Sequence, residues 1–171
     1  MTAGYRIEAL TTFHDRKSFS CGVEPLDVYI RELATQDIKR RVSNCFIASD
    51  DVGRTAGYYT FAATSLPLTE LSDEEKKRLP RYALLPAGLI GRLAVDHRFQ
   101  GQRLGGALFM DAVARAARAE SAIFALIVEA KDDKAIGFYQ HLGFRCFVSK
   151  PASLFLPIAT ALRALQATPG K

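Results

Sequence analysis

A chain of 171 residues, 49% hydrophobic and 24% charged, suits one domain (1–171) with a sizeable core and has ordinary globular composition. Its net charge of +5 favours an acidic partner. No apolar run is long enough to cross a membrane, Met1–Leu10 has neither the basic start nor the apolar core of a leader, and Cys21, Cys45 and Cys146 lack the spacing of a disulfide framework or a zinc site, so a cytoplasmic protein without a bound metal is expected.

In chain order, Tyr5–Ala9 reads as a short strand, and Pro25 to about Val42 as a helix with Leu26, Tyr29, Ile30, Leu33 and Ala34 on one face. Strands Cys45–Ser49 and Arg54–Thr64 follow, joined by the turn Asp50-Asp51-Val52-Gly53. The stretch Pro67–Pro86 carries three of the seven prolines and predicts a short exposed helix between loops. Next come a strand, Leu89 to Val95, and a helix from near Gln102 with Leu104, Leu108, Ala112, Val113 and Ala116 at helical spacing. A strand Ile123–Glu129, a helix Asp133–His141, a strand Phe144–Val148, a final strand Ser153–Leu156 and a closing helix Ile158–Leu165 complete the order. Strands interleaved with helices imply a mixed α/β sheet with helices on both faces. A dinucleotide-binding fold is disfavoured, because neither its GxGxxG fingerprint nor the following acidic residue stands in the required place.

Between Val95 and Leu104 the apolar strand runs into Gln100-Gly-Gln-Arg-Leu-Gly-Gly106 and then a helix. The first turn of a helix leaves amides without intrahelical partners at the positive end of its dipole, and glycines let a ligand approach the backbone. Phosphate is the natural occupant. Alone, such a turn is more commonly an ordinary strand-to-helix connection.

A second motif, Ala135 to Phe144 with its Phe138-Tyr139 pair and Gly143-Phe144, decides between the two. Together the motifs resemble the GNAT acetyltransferases, with their pyrophosphate loop and a later helix ending in Phe-Tyr and Gly-Phe. Cys21-Gly22, Leu26-Asp27, Gln36-Asp37, Gly57-Tyr58-Tyr59-Thr60, Leu85-Pro86 and Arg92-Leu93-Ala94-Val95 extend the resemblance to the branch of aminoacyl-tRNA acetyltransferase toxins of type II toxin–antitoxin systems. The resemblance implies a GNAT fold whose central sheet is split between its fourth and fifth strands. It also implies acetyl-CoA as donor, held between the strand ending at Val95 and the strand Ile123–Glu129. Backbone groups of Leu93, Ala94 and Val95 would pair with pantetheine, Gln100, Gly101, Gln102, Arg103, Leu104, Gly105 and Gly106 would hold the pyrophosphate, and Phe138 would also face the cofactor. Arg103 departs from the family loop, standing where its first glycine is expected; a helical backbone there would accept arginine, with the guanidinium reaching a phosphate.

The resemblance places Tyr139 as general acid. A coenzyme A thiolate, of pKa about 8.5, needs a proton on leaving, which a tyrosine of pKa about 10 supplies through a hydrogen bond. The competing role is packing, which is the reading for Phe138 as well. No general base stands out: Glu129, His97 and His141 are candidates by type, and surface or capping roles suit all three. An α-amine, of pKa about 7.7–8.0, needs little such help, whereas a lysine near 10.4 does.

The leading expectation is therefore a toxin that acetylates the α-amine of aminoacyl-tRNA and blocks translation. Lys39, Arg40, Arg41, Lys76, Lys77, Arg78, Arg81 and Arg92 would contact tRNA phosphates, against the plainer reading of solvated helix ends. The resemblance further implies a ribbon–helix–helix antitoxin, operator DNA bound through the toxin–antitoxin complex, and a homodimer. The alternatives are an acetyltransferase of a protein N-terminus, a lysine or a small amine, and a non-catalytic acyl-CoA or nucleic-acid binding module.

Overall fold

The computed structural model describes residues 4–167. The first three residues of Met1–Leu10 and the last four of the chain lie outside the described residues. Contacts divide the chain into two compact units: the chain up to Ala62 with Ile90–Ala112, and Ala63–Leu89 with the chain from Val113 onward.

In the first unit, β1 (Arg6–Ala9) pairs antiparallel with β2 (Asn44–Ser49), in register from Arg6 with Ser49 to Ala9 with Phe46. β2 pairs antiparallel with β3 (Thr55–Pro67), with a bulge at Ala48/Ser49. The turn between them closes as its composition predicts: the Asp50 carboxylate accepts the Val52 and Arg54 amides, and Gly53 takes φ +85°. The long helix expected over Pro25–Val42 is broken up. It runs as α1 (Glu24–Val28), a π-helical turn Tyr29–Leu33 and α2 (Ala34–Lys39). It ends at Lys39 in a Schellman closure, in which Arg41 N–H donates to Ile38 O and Val42 N–H to Asp37 O, both at 3.0 Å. Phe19, Tyr29, Ile30, Ala34, Cys45, Ile47, Tyr58 and Ala94 form the core here. Burying each large side chain contributes about 1.5–3 kcal/mol.

The second unit holds the N-terminal half of β4 (Leu84–Val95), which starts ahead of the expected Leu89 and runs through Pro86. Proline has no N–H to give, and only its carbonyl is used, accepting Phe124 N–H at 2.8 Å. β5 (Ala125–Glu129) is buried except for Glu129 and pairs antiparallel with β7 (Ser153–Pro157). β6 (Arg145–Cys146) is shorter than the strand expected over Phe144–Val148, because Val148 N–H leaves the ladder for Glu70 O at 3.1 Å. The proline-rich segment holds a 3-10 turn, Leu68–Glu70, and one short α-helix, α3 (Asp73–Lys76), with a capping box between Ser72 and Glu75. Leu66, Leu71, Leu85, Ala87, Ala125, Ile127 and Phe155 make up this unit's core.

Strand neighbours run β1-β2-β3-β4 in the first unit and β4-β5-β7-β6 in the second, with β4 and β5 parallel, giving the expected mixed α/β sheet. The helix after the glycine turn, α4 (Leu104–Arg118), starts two residues later than expected and runs through both units, while α5 (Asp133–His141) and α6 (Ile158–Ala167) belong to the second. Among the described residues no helix is long and apolar enough to cross a membrane, and no group of three or more His, Cys, Asp or Glu is placed to hold a metal ion.

Candidate functional site

The glycine turn is built on Asp96, which is 1% exposed. Its carboxylate accepts Arg98 Nε at 2.9 Å, a second Arg98 nitrogen at 3.1 Å, Arg98 N–H at 2.9 Å and Ser20 N–H at 3.0 Å. Burial alone would push this carboxyl up, but those donors outweigh it and hold Asp96 below the usual carboxylate range. Next, the Gln100 side-chain amide donates to Val95 O at 2.9 Å and Cys21 O at 3.2 Å, while Gln102 Oε1 accepts the Tyr5 hydroxyl at 2.7 Å. Three side chains thus fix the turn and leave its backbone face clear.

That face is open. A methyl group placed on Gly101 or Gly106 would meet nothing within 4 Å, and on Gly105 only Leu93 Cδ2 at 4.0 Å. The first backbone bond of α4 runs from Ala107 N–H to Arg103 O at 3.2 Å, so the amides of Leu104, Gly105 and Gly106 lie at the positions where a helix leaves its donors without intrahelical partners. On β4, Asp96 N–H donates to Ala56 O, so strand alternation turns the backbone groups of Ala94 toward β3 as well and those of Leu93 and Val95 to the opposite edge.

Arg103 corrects an expectation. Its φ is +64°, in the left-handed region, not in the helical region that was to make arginine acceptable there. The position has the conformation that favours the glycine of the family loop, and arginine holds it at a backbone cost of about 1–2 kcal/mol.

In the second unit Tyr139 lies near the end of α5. Its ring packs edge-on against Phe144 at 5.4 Å and Phe138 at 5.3 Å. Phe144 is buried, but Phe138 is 46% exposed and does not fill the core, as its packing reading required. Among the described residues the Tyr139 hydroxyl has no hydrogen-bond partner, and burial raises its pKa above the ordinary tyrosine value. The group is a neutral phenol, sterically fixed and free to donate.

The basic residues fall in both units. Lys39, Arg40 and Arg41 are consecutive and exposed at the end of α2, and Arg41, like Arg103, has positive φ (+61°). Arg92 is half-buried, its guanidinium 3.6 Å over the Tyr29 ring. In the second unit Lys77, Arg78 and Arg81 are exposed, while Lys76 lies 3.7 Å from Asp73. Of the three candidate bases, His97 packs over Gly22 and His141 is exposed at the end of α5. Glu129 lines a cavity of about 440 Å³ in the second unit, which Leu89, Ile127 and Phe147 make partly apolar.

A carboxylate that sequence reasoning passed over, Glu70, lines the same cavity at 7% exposure. Ser149 N–H donates to its Oε1 at 3.1 Å, and the Ser149 hydroxyl lies 2.6 Å from both of its oxygens. The only signal in the sequence was an acid on a short turn flanked by Leu68 and Leu71.

An acetyltransferase (GNAT) domain model matches residues 41–146. A tRNA-acetylating toxin of Mycobacterium tuberculosis is 35% identical over 153 residues, which are 88% of this chain and 90% of that protein. Among solved structures, AtaT complexed with acetyl-methionyl-tRNAfMet superposes with a TM-score of 0.85 at 29% identity, covering 96% of this chain and 100% of that one. A mutant of the AtaT toxin bound to the C-terminus of the antitoxin AtaR and acetyl-CoA gives 0.76 at 26% identity, covering 96% and 99%. An open glycine turn at the head of α4, a free phenol on α5 and a family match over most of the chain lead to one conclusion: this chain belongs to the GNAT acetyltransferases.

Proposed function

We propose that the protein is the toxin of a type II toxin–antitoxin pair, one GNAT domain over residues 1–171, which transfers the acetyl group of acetyl-CoA to the α-amine of aminoacyl-tRNA and so stops translation. The observation that carries this reading is the full-length likeness to a toxin whose structure holds an acetylated methionyl-tRNA. One relative is named a tRNA-acetylating toxin, and another is a toxin bound to the C-terminus of its antitoxin and acetyl-CoA.

The open backbone over Gly101, Gly105 and Gly106 fits a pyrophosphate, received by the amides of Leu104, Gly105 and Gly106 with Gln100, Gln102 and Arg103 around them. Leu93 and Val95 offer outward backbone groups to the pantetheine amides, as an added strand would use them. Bound there, acetyl-CoA supplies an acyl carbon activated as a thioester. Tyr139 would give its proton to the sulfur as the amine nitrogen bonds to the acyl carbon and the carbon–sulfur bond breaks, and the proton shed by that nitrogen would restore the phenol through solvent; its raised pKa keeps the phenol protonated at neutral pH. Lys39, Arg40, Arg41, Lys76, Lys77, Arg78, Arg81 and Arg92 supply the charge for tRNA phosphates.

The same reading assigns a ribbon–helix–helix antitoxin as protein partner, operator DNA through the toxin–antitoxin complex, a homodimer, and the cytoplasm, where charged tRNA is found. Incubation of the purified protein with labelled acetyl-CoA and tRNA charged with each amino acid tests it. Label on the amino acid of at least one charged tRNA is the expected result; label only on free amines or proteins would overturn it.

A further inference from the structure

The cavity beside β5 differs in charge from the rest of the molecule. The protein carries +5 overall, yet the ionisable residues lining this cavity are Glu70, Glu129 and Lys150, two carboxylates against one ammonium. Thr64, Ser65 and Ser149 add hydroxyls, and Leu89, Ile127 and Phe147 add apolar wall. Glu129 closes β5 and is exposed, whereas Glu70 is nearly stripped of solvent.

A carboxylate taken out of water is costly unless a cation or several donors answer it. Among the described residues Glu70 enters no ion pair; its only side-chain partner is Ser149, whose amide and hydroxyl both point at it. Ser149 has one hydroxyl proton for two oxygens, so the carboxylate keeps unused acceptor capacity while its orientation is fixed from behind. The Glu70 carbonyl also takes Val148 N–H, which ties the β6–β7 connection to the same turn. Such a site has the features of a receptor for a small cation with N–H donors, set among apolar walls that suit an organic side chain.

Resting on the acetyl-transfer reading above, which brings one such cation to the enzyme, we propose that this cavity seats the aminoacyl end of the acceptor and that Glu70 binds its α-ammonium group. The basic surface then holds the polyanionic tRNA, and the acidic cavity holds the positively charged end. Glu70 is an acceptor-binding residue in this account; it fixes the nitrogen and sets how readily that nitrogen loses its proton. A carboxylate at ion-pair distance favours the charged amine, so the bound amine releases its proton at higher pH than the free one.

The test is the pH dependence of kcat, measured with whichever charged tRNA wild-type protein acetylates most when offered tRNA aminoacylated with all twenty amino acids. Wild type shows an acidic limb that reports deprotonation of the bound amine. In Glu70→Gln, which keeps the Ser149 contact, this limb moves to lower pH by about one unit or more, and KM for charged tRNA rises. Ser149→Ala, which loosens the connection but keeps the charge, leaves the limb in place. Glu70→Asp draws the charge back by one methylene and moves the limb in the same direction by less, which serves where the Gln variant does not fold. A limb unchanged in both Glu70 variants, or moved as far by Ser149→Ala, overturns the inference and leaves Glu70 a structural pin. Wild-type protein that acetylates no charged tRNA fails the functional reading itself, and the inference falls with it.

Discussion

The guanidinium of Arg92 lies 3.6 Å above the ring of Tyr29, whose hydroxyl donates to Asp37 at 2.9 Å. Burial first, and then the hydrogen bond to Asp37, push the Tyr29 phenol well above its ordinary pKa, so it stays a neutral donor. Arg92 therefore packs against the first unit's core as well as carrying charge. Arg92→Ala is expected to cost about 2 kcal/mol in denaturant unfolding, from the lost cation–π contact and the lost packing of its stem. Lys39→Ala and Arg40→Ala, both at exposed positions, should change stability by less than about 0.5 kcal/mol while weakening tRNA binding. Equal stability losses at all three positions would contradict this division.

Arg41 and Arg103 both hold left-handed backbone, at φ +61° and +64°. Glycine at either position relieves steric strain, offset in part by the greater freedom it gives the unfolded chain. Arg103→Gly should raise stability by up to about 1 kcal/mol yet weaken acetyl-CoA binding in calorimetry, because a guanidinium beside the pyrophosphate is lost. Arg41→Gly should do the same for tRNA and leave acetyl-CoA binding alone. A clear gain in acetyl-CoA affinity for Arg103→Gly would show that its charge contributes nothing there.

Tyr139→Phe removes a hydroxyl that has no protein partner among the described residues and keeps the ring contacts with Phe138 and Phe144. Thermal unfolding should be nearly unchanged, while kcat falls on the order of 10²–10⁴-fold. The pH sign follows from the raised pKa. A general acid works protonated, so loss of activity through this group begins only above the ordinary tyrosine value of about 10. An alkaline limb near pH 8 that disappears in Tyr139→Phe would contradict the burial argument.

Removing Lys39, Arg40 and Arg41 together should make the dependence of log K for tRNA on log salt shallower by about 2 to 3 units, one lost counterion release per phosphate contact. Filter binding across a salt series measures the slope. An unchanged slope would place this cluster outside the tRNA interface.

How far the sequence carried depended on whether a residue's role was local. α5 begins at Asp133 and ends at His141 as expected, with Asp132 capping it through Ala135 N–H at 2.8 Å. The glycine turn and the Phe-Tyr helix were legible because their chemistry is written in consecutive residues. The break at Tyr29–Leu33 was not, since a π-helical turn leaves the apolar spacing almost intact. Nor was the early start of β4, because Pro86 marks a loop unless its carbonyl alone is needed. The conformation of Arg103 went against its residue type, and Glu70 meets Ser149 across 79 positions of chain, a distance over which sequence pattern carries no signal.

The central claim is that the chain acetylates the α-amine of aminoacyl-tRNA with Tyr139 as proton donor. The most direct test is mass spectrometry of the aminoacyl ends of a fully charged tRNA pool after reaction with acetyl-CoA, run with wild type and Tyr139→Phe in parallel. An acetyl group on the α-nitrogen of one or a few amino acids with wild type, and its near-complete loss with Tyr139→Phe, is the predicted result. Acetylation absent from every aminoacyl end with wild type, or undiminished in the variant, would contradict it.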